Sequence, residues 1–352
     1  MAGIADVAAL AGVSKATASR ALSGAGYVAA ATRERVQTAA DALGYVPSTS
    51  AVSLATGRTQ TIGVVMPYVT RWFFAEVLEG IQQSLLQRGL DLTLYEARPG
   101  TPGRQRIFQD FLARKRFDGL IAVGLEPEDR EFEHLAQIDR PVVSIVGTDT
   151  GTSIIEIDDD YAARRATEHL ITLGHKRITF VGGGTAAHWA QVDRRRLSGY
   201  HAAMADAGLR VHHARSDVSL PGGYAAAVDL LGDARRRPTA LVAVCDEVAI
   251  GAIIAARRLG IQVPTNLSVI GIDDHEYADM FSLTTLQQLP REQGEAAVDL
   301  LLRHIDDPEL QPTALRMQAR LVVRNSTGPL DLSRAATIVD TGLIDPPAQP
   351  VQ

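Results

Sequence analysis

The fold of the N-terminal segment follows from residues 4–23, which read IADVAALAGVSKATASRALS. Apolar residues recur at helical spacing in Ile4–Ala11 and again in Lys15–Leu22, with only the tripeptide GVS between them. In that tripeptide the glycine can take the positive φ of a tight turn, the valine fills the angle between the helices, and the serine caps the second helix. The stretch therefore predicts a helix-turn-helix.

The second helix carries residue types that read DNA. Lys15 and Thr17 lie in its first turn, and Arg20 follows one turn later. An arginine at that place can make a bidentate contact with guanine O6 and N7 in the major groove. We therefore expect DNA contacts from Ser14, Lys15, Ala16, Thr17, Ser19, Arg20 and Tyr27.

A third helix is predicted over Thr32–Leu43. Its apolar face consists of Val36, Ala39, Ala40 and Leu43. This face would close a small three-helix core with the first two helices.

Four motifs extend this pattern along the chain. The run DVAALAGVSKATASRAL (6–22) is followed by TRERV (32–36), LGYVP (43–47) and SLATGRT (53–59). In order and spacing these motifs resemble the DNA-binding headpiece of the lactose repressor (LacI) family. An ordinary helical hairpin would explain the apolar positions but not the motifs that follow it.

The resemblance implies a headpiece at residues 1–46 and a hinge or linker at residues 47–59. In the family this linker is a hinge helix that folds in the minor groove and wedges a leucine into the central base step. Leu54 matches that leucine. The alternative is that Leu54 simply packs against the core.

The charge is divided unevenly between the headpiece and the rest of the chain. The whole chain has a net charge of −6, whereas residues 1–60 contain five basic and three acidic residues, a net charge of +2. One headpiece with few cations would bind DNA weakly, because affinity comes largely from phosphate neutralisation. We therefore expect a homodimer on a pseudo-palindromic, double-stranded operator.

The composition bounds the class of protein. The 352 residues are 46% apolar, enough for two to three buried cores. Cys245 is the single cysteine, the N-terminus lacks a signal peptide, and no apolar run is long enough to span a membrane. We expect a cytoplasmic protein, associated with the nucleoid when bound to its operator, with no membrane partner.

From residue 60 onward, β-rich runs alternate with amphipathic stretches, which indicates an α/β core with parallel, doubly wound sheets. The predicted strands are Ile62–Met66, Leu90–Tyr95, Gly119–Val123, Val142–Val146, Ser153–Ile157, Ile178–Val181, Ala240–Val244 and Leu267–Gly271. The fold class is therefore a helical headpiece with a hinge helix, followed by an α/β core.

The resemblance implies that this core, residues 60–330, is periplasmic-binding-protein-like, with two lobes joined by three crossovers. We expect the first lobe at about 60–160 and 289–320, and the second at about 161–288 and 321–330. A small-molecule effector would bind between the lobes. The tail, residues 331–352, contains PPAQPVQ and is expected to be disordered.

Candidate effector contacts follow the strands, because ligands of open α/β sheets bind outside the carboxyl ends of strands. The candidates are Trp72, Phe73, Arg196, Asp246 and Asp273. Aromatic rings suit the apolar faces of sugars or bases, and an arginine with two carboxylates suits vicinal hydroxyls. By resemblance, Phe73 and Arg196 match effector contacts of the family.

Structural roles stay open for the same residues. The aromatic residues could belong to the core, the arginine and the carboxylates could form ion pairs that hold loops, and Asp246 could cap the following helix.

No catalytic pattern emerges. Gly182-Gly183-Gly184 lacks the spacing of a phosphate-binding loop, the adjacent His212 and His213 cannot share a helix face as zinc ligands, and no cofactor or metal is expected. The acidic run Asp158–Asp160 suits a helix N-terminus ahead of Tyr161.

The sequence thus predicts a dimeric DNA-binding transcriptional regulator, a repressor of a carbohydrate-utilisation operon that responds to a sugar, and not an enzyme. The alternatives are a soluble sugar-binding protein and a regulator that depends on a purine-type co-repressor. Whether the effector induces or co-represses stays open.

Overall fold

The computed structural model describes residues 2–24, 26–45, 57–147, 151–184 and 190–330. Leu54, most of the expected hinge and the expected disordered tail lie outside the described residues.

Three helices form the N-terminal segment: α1 (Ile4–Ala11), α2 (Lys15–Ser23) and α3 (Ala30–Ala42). Alanine and valine fill their shared core, which consists of Val7, Ala8, Ala11, Ala18, Ala21, Val36, Ala39 and Ala40. These small side chains let the helices approach closely. The helix-turn-helix prediction is confirmed.

The third helix differs from its prediction at both ends. It begins two residues before Thr32, because Ala29 takes the extended N-cap conformation although its side chain cannot cap. It ends at Ala42, so Leu43 becomes the C-cap and is 36% exposed instead of joining the core.

The chain as a whole is divided into two compact units, and it passes from one to the other three times. Of the described residues, the first contains those within 1–155 and 290–315, and the second contains those within 156–289 and 316–330.

The first unit is built on a sheet with strand order β11-β5-β4-β3-β1-β2. Its strands are β1 (Thr61–Met66), β2 (Asp91–Glu96), β3 (Gly119–Leu125), β4 (Val142–Gly147), β5 (Ser153–Ile157) and β11 (Ala314–Met317). Its helices are α4 (Trp72–Gln87), α5 (Pro102–Arg106), α6 (Asp129–Ala136) and α11 (Pro290–Asp306). A π turn over Ile107–Phe111 continues α5, and α11 packs along α4.

The second unit repeats this plan with strand order β12-β10-β9-β8-β6-β7. Its strands are β6 (Ile178–Val181), β7 (His213–Ala214), β8 (Ala240–Ala243), β9 (Ser268–Asp273), β10 (Thr284–Gln287) and β12 (Arg320–Val322). Its helices are α7 (Asp159–Thr172), α8 (Gln191–Asp206), α9 (Leu220–Gly232) and α10 (Asp246–Arg258).

The predicted parallel α/β core is confirmed by these two sheets. Their central strands are buried along almost their whole length and pair in parallel, from Ile62 opposite Gly119 to Val181 opposite Ala243. Within the described residues, no helix is both long and apolar enough to cross a membrane.

Candidate functional site

The turn of the helix-turn-helix depends on a glycine and a serine. Gly12 has φ 67°, in the left-handed region that favours glycine. Ser14 is the N-cap of α2, and its hydroxyl oxygen accepts from the Thr17 backbone N–H at 3.1 Å. These two residues fix where α2 begins and therefore which of its side chains face outward.

The predicted DNA contacts lie mainly on the exposed surface of the headpiece. Lys15, Ala16 and Arg20 are exposed and Tyr27 is 94% exposed, while Thr17 is half-buried. The half-buried Ser19 and the exposed cap Ser14 complete the set.

Arg20 is held along its own helix. Its Nε donates to the Ala16 carbonyl oxygen at 3.3 Å. The two terminal nitrogens of the guanidinium make no hydrogen bond to any described residue, so they can donate as a pair to a base edge.

In the second unit, Arg196 on α8 is the centre of a buried charged cluster. Its Nε donates to Oδ1 of Asp159 at 2.8 Å, and its Nη1 donates to the Val244 carbonyl oxygen at 2.6 Å. Asp273 Oδ1 lies 3.7 Å from Nη1. Burial disfavours the charge of Arg196, but the carboxylates of Asp159 and Asp273 outweigh that effect and raise its pKa.

Asp273 ends β9 in a strained backbone conformation. Its φ is 137°, which non-glycine residues rarely adopt. Oδ1 accepts from Gln288 Nε2 at 2.6 Å. Burial raises the pKa of Asp273 to about 6, although the nearby Arg196 lowers it. Strain of this kind, held by surrounding contacts, is typical of ligand-binding positions.

Asp246 is engaged on both carboxylate oxygens. Oδ2 accepts from the His275 backbone N–H at 2.9 Å, and Oδ1 accepts from the Thr285 hydroxyl at 2.7 Å. A Cβ at Gly271 would lie 2.0 Å from Oδ1, so only glycine leaves room for this carboxylate. Burial, followed by the charge of Asp273, raises the pKa of Asp246 to about 8.

The possibility that Asp246 caps α10 is wrong. Cys245 is the N-cap, without a capping hydrogen bond from its side chain, and Asp246 is the first helical residue. The aspartate side chain turns away from the helix end because it bonds the loop after β9 and the strand β10.

Asp159 belongs to the cluster although the sequence did not single it out as a binding residue. The acidic run of residues 158–160 indicated a helix N-terminus, and Asp158 is indeed the N-cap of α7, accepting from the Tyr161 N–H at 2.9 Å. The next carboxylate, that of Asp159, turns inward to Arg196. The helix needs only one capping aspartate, and Asp158 is that residue. The second aspartate, Asp159, was therefore the sequence signal that could have indicated another role.

In the first unit, Trp72 and Phe73 begin α4 directly after its N-cap. Both are half-buried, and the Phe73 ring lies 5.5 Å from that of Phe74 in an edge-to-face arrangement. Phe74 is a packing residue, since a Cβ on Gly124 of β3 would lie 2.7 Å from its ring. Trp72 and Phe73 therefore precede a packing aromatic, and all three side chains are half-buried.

Both parts of this architecture are similar to known proteins. Residues 3–48 match the profile of bacterial regulatory proteins of the lacI family, and residues 167–327 match a periplasmic binding protein-like domain. The chain is 35% identical over 342 residues to the HTH-type transcriptional repressor PurR of Vibrio campbellii, covering 94% of this chain and all of the relative. It is 33% identical over 334 residues to the ribose operon repressor of Escherichia coli K12, covering 93% and 100%.

Among solved structures, the lac repressor dimer bound to operator and the anti-inducer ONPF superimposes with a TM-score of 0.81 at 27% identity, covering 93% of this chain and 99% of that one. A helix-turn-helix ahead of two α/β units is the architecture of the bacterial transcriptional regulators that the chain resembles. The chain belongs to the LacI family.

Proposed function

We propose that the chain is a dimeric repressor whose affinity for operator DNA changes when a polar small molecule, in the first place a sugar, binds its second unit. The observation that supports this most directly is the buried cluster of Arg196, Asp159 and Asp273 at the carboxyl end of the second sheet. Such a set of fixed donors and acceptors suits vicinal hydroxyls. The relatives are named as repressors.

A part for Trp72 and Phe73 in effector binding stays a prediction from the sequence: both rings are half-buried at the start of α4, and half-buried rings can cover the apolar face of a sugar. Asp246 has a different part in the proposal. Both of its oxygens are engaged inside the unit, so it holds the Asp273 loop in place while Asp273 contacts the effector.

The dimer and its location complete the proposal. Two headpieces double the number of phosphate contacts that one weakly basic headpiece can make, and a pseudo-palindromic operator would carry both. The protein would act in the cytoplasm, on the nucleoid, without membrane, cofactor or metal. No catalytic step is assigned, because the relatives are named as repressors and the motifs of the chain explain DNA and ligand binding.

Gel retardation tests the regulatory half of the proposal. DNA from upstream of the chain's own gene should be retarded at low salt, and a bound effector should shift the retarded fraction. Release by the effector would identify an inducer, and tighter binding a co-repressor. Absence of retardation at low salt would contradict the proposal.

Asp273→Asn tests the effector half. The substitution keeps the shape of the side chain but removes its charge, so calorimetry should show weaker effector binding while operator retardation persists. Glu276→Gln, at an exposed position of the same loop, is the matched control and should leave both unchanged. Unchanged effector affinity in Asp273→Asn would remove Asp273 from the site.

A purine-type co-repressor is the second candidate. The similarity to the PurR repressor favours it, and neutral bases, like sugars, carry both hydrogen-bond donors and acceptors. Titration with nucleobases beside mono- and disaccharides separates the two candidates.

A further inference from the structure

The positive charge of Arg196 is balanced by carboxylates of the protein itself. Its Nε is bonded to Asp159 at 2.8 Å, and its Nη1 faces Asp273 at 3.7 Å. The side chains of Arg196 and Asp159 are 7% and 1% exposed. Its one positive charge is therefore shared by two carboxylates inside the protein, where charges interact much more strongly than in water.

One oxygen of Asp159 has no hydrogen-bond partner among the residues that the structure describes. Oδ1 accepts from Arg196, whereas the buried Oδ2 meets no donor among the described residues. A buried acceptor without a donor costs free energy, and native proteins seldom leave one. A ligand that brings an O–H or N–H group to Oδ2 would repay that cost.

Two further arginines of the second unit are themselves paired with carboxylates. Arg195 is bonded to Glu156 at 2.6 Å, and Arg324 to Asp274 at 2.8 Å. Glu247 adds to the negative field at Asp273. Asp246 is mainly protonated at neutral pH, since its pKa is about 8. Burial raises the pKa of Asp159 as well, although the bonded Arg196 lowers it, and the one charge of Arg196 faces the carboxyl groups of both Asp159 and Asp273.

We infer that this cluster selects an uncharged ligand rich in hydrogen-bond donors, such as a neutral sugar, and rejects its phosphorylated or carboxylated congener, with Asp159 as a specificity-determining residue. The inference rests on the proposed function, because it concerns the same site. An anion would meet two carboxylates and an arginine that is already paired. A hydroxyl would instead donate to Asp159 Oδ2 and accept from Arg196 Nη2, which bonds no described residue.

The first experiment is a calorimetric titration of the full chain with matched ligands. The sugar probes are ribose with ribose 5-phosphate, glucose with glucose 6-phosphate and glucuronate, and cellobiose. The base probes are adenine, hypoxanthine and guanosine, each with its nucleotide. A neutral member should bind, and its anionic congener should bind at least about tenfold more weakly.

Two outcomes would overturn the inference. One is that an anionic congener binds as tightly as its neutral parent, or that it binds when the neutral parent does not. The other is that no member of the panel binds, because the panel contains the neutral sugars and bases that the site is inferred to admit. Operator retardation in the same preparations separates these outcomes from failure of the proposed DNA-binding function.

Asp159→Asn supplies an independent readout. Asparagine can keep an oxygen facing Arg196 Nε but removes one negative charge, so the preference for the neutral ligand over its anionic congener should fall about tenfold. Asp160→Asn, at the next and only half-buried position, is the control and should keep the wild-type ratio. An unchanged ratio in a folded Asp159→Asn variant would overturn the role of Asp159. If that variant does not fold, the wild-type titration alone decides the inference.

Discussion

Arginine side chains have two opposite settings in this chain. Arg20 is exposed, bonded only to its own helix among the described residues, and able to offer two parallel donors. Arg196 is buried and paired on both sides by carboxylates. The first setting suits an interaction with a polyanion, and the second suits a fixed donor for a small uncharged molecule. Environment, more than residue type, decides the role of each arginine.

Arg20→Ala should weaken specific operator binding by about 1 to 3 kcal/mol, because a bidentate base contact is lost. Effector affinity should not change, since Arg196 and its partners are untouched. Fluorescence anisotropy on an operator duplex and on a random duplex measures the effect. Equal losses on both duplexes would contradict base reading and leave a phosphate contact.

Asp246 should make the second unit less stable as pH rises. Its pKa is about 8 in the folded protein, above its ordinary value of 3.8, so the folded state holds a proton that the unfolded chain releases from about pH 4 upward. The free energy of unfolding from this group therefore falls between about pH 4 and pH 8, by at most about 1.4 kcal/mol per pH unit.

Asp246→Asn should remove that part of the decline, because the amide does not ionise. Urea unfolding of wild type and variant at about pH 5, 7 and 8.5 gives the comparison. The difference in free energy of unfolding between them should shift in favour of the variant as pH rises. If the difference stays constant across this range, the raised pKa of Asp246 does not cause the decline in the free energy of unfolding.

At the scale of elements, the sequence predicted best where local rules decide the structure. The bounds of α1 were predicted to the residue, because Gly12 and Ser14 mark both sides of the turn. Most central strands were also predicted within one or two residues, since their apolar runs are continuous. The short strands β7, β10, β11 and β12 were not predicted. They have two to four residues that mix polar and apolar side chains, whereas the equally short β6 and β8 are mainly apolar.

The charged cluster could be predicted only in part. Arg196 and Asp273 follow from the family motifs and from their positions near strand ends. The pairing of Arg196 with Asp159 joins residues 37 positions apart, and only the packing of α7 against α8 brings them together. Likewise, the sequence allowed Asp246 to be a cap, whereas its partners Thr285 and His275 come from distant loops and strands.

Ser14→Ala should destabilise α2, because the Thr17 N–H then loses its capping acceptor, at a cost of about 1 kcal/mol. Amide hydrogen exchange within residues 15–23 should become about fivefold faster. Thr38→Ala on α3 is the control, since its hydroxyl only bonds the Glu34 carbonyl within the helix. If the two variants exchange alike, the cap contributes nothing specific.

At the scale of the whole molecule, DNA binding should depend on assembly. A headpiece with a net charge of +2 makes few phosphate contacts, so binding should require two copies. Sedimentation velocity should show a species of twice the chain mass, and operator affinity should fall on dilution below the dissociation constant of the dimer. A monomer that binds the operator with full affinity would contradict the proposed dimer.

Because the chain crosses between its units three times, the first unit becomes complete only late in synthesis. The headpiece is complete once residue 45 has been made, but the first sheet lacks β11 until residue 317, and α4 lacks its partner α11 until residue 306. All three helices of the headpiece therefore leave the ribosome long before the last strand of the first sheet is made. During translation, the DNA-binding residues are present before the effector-binding core is complete.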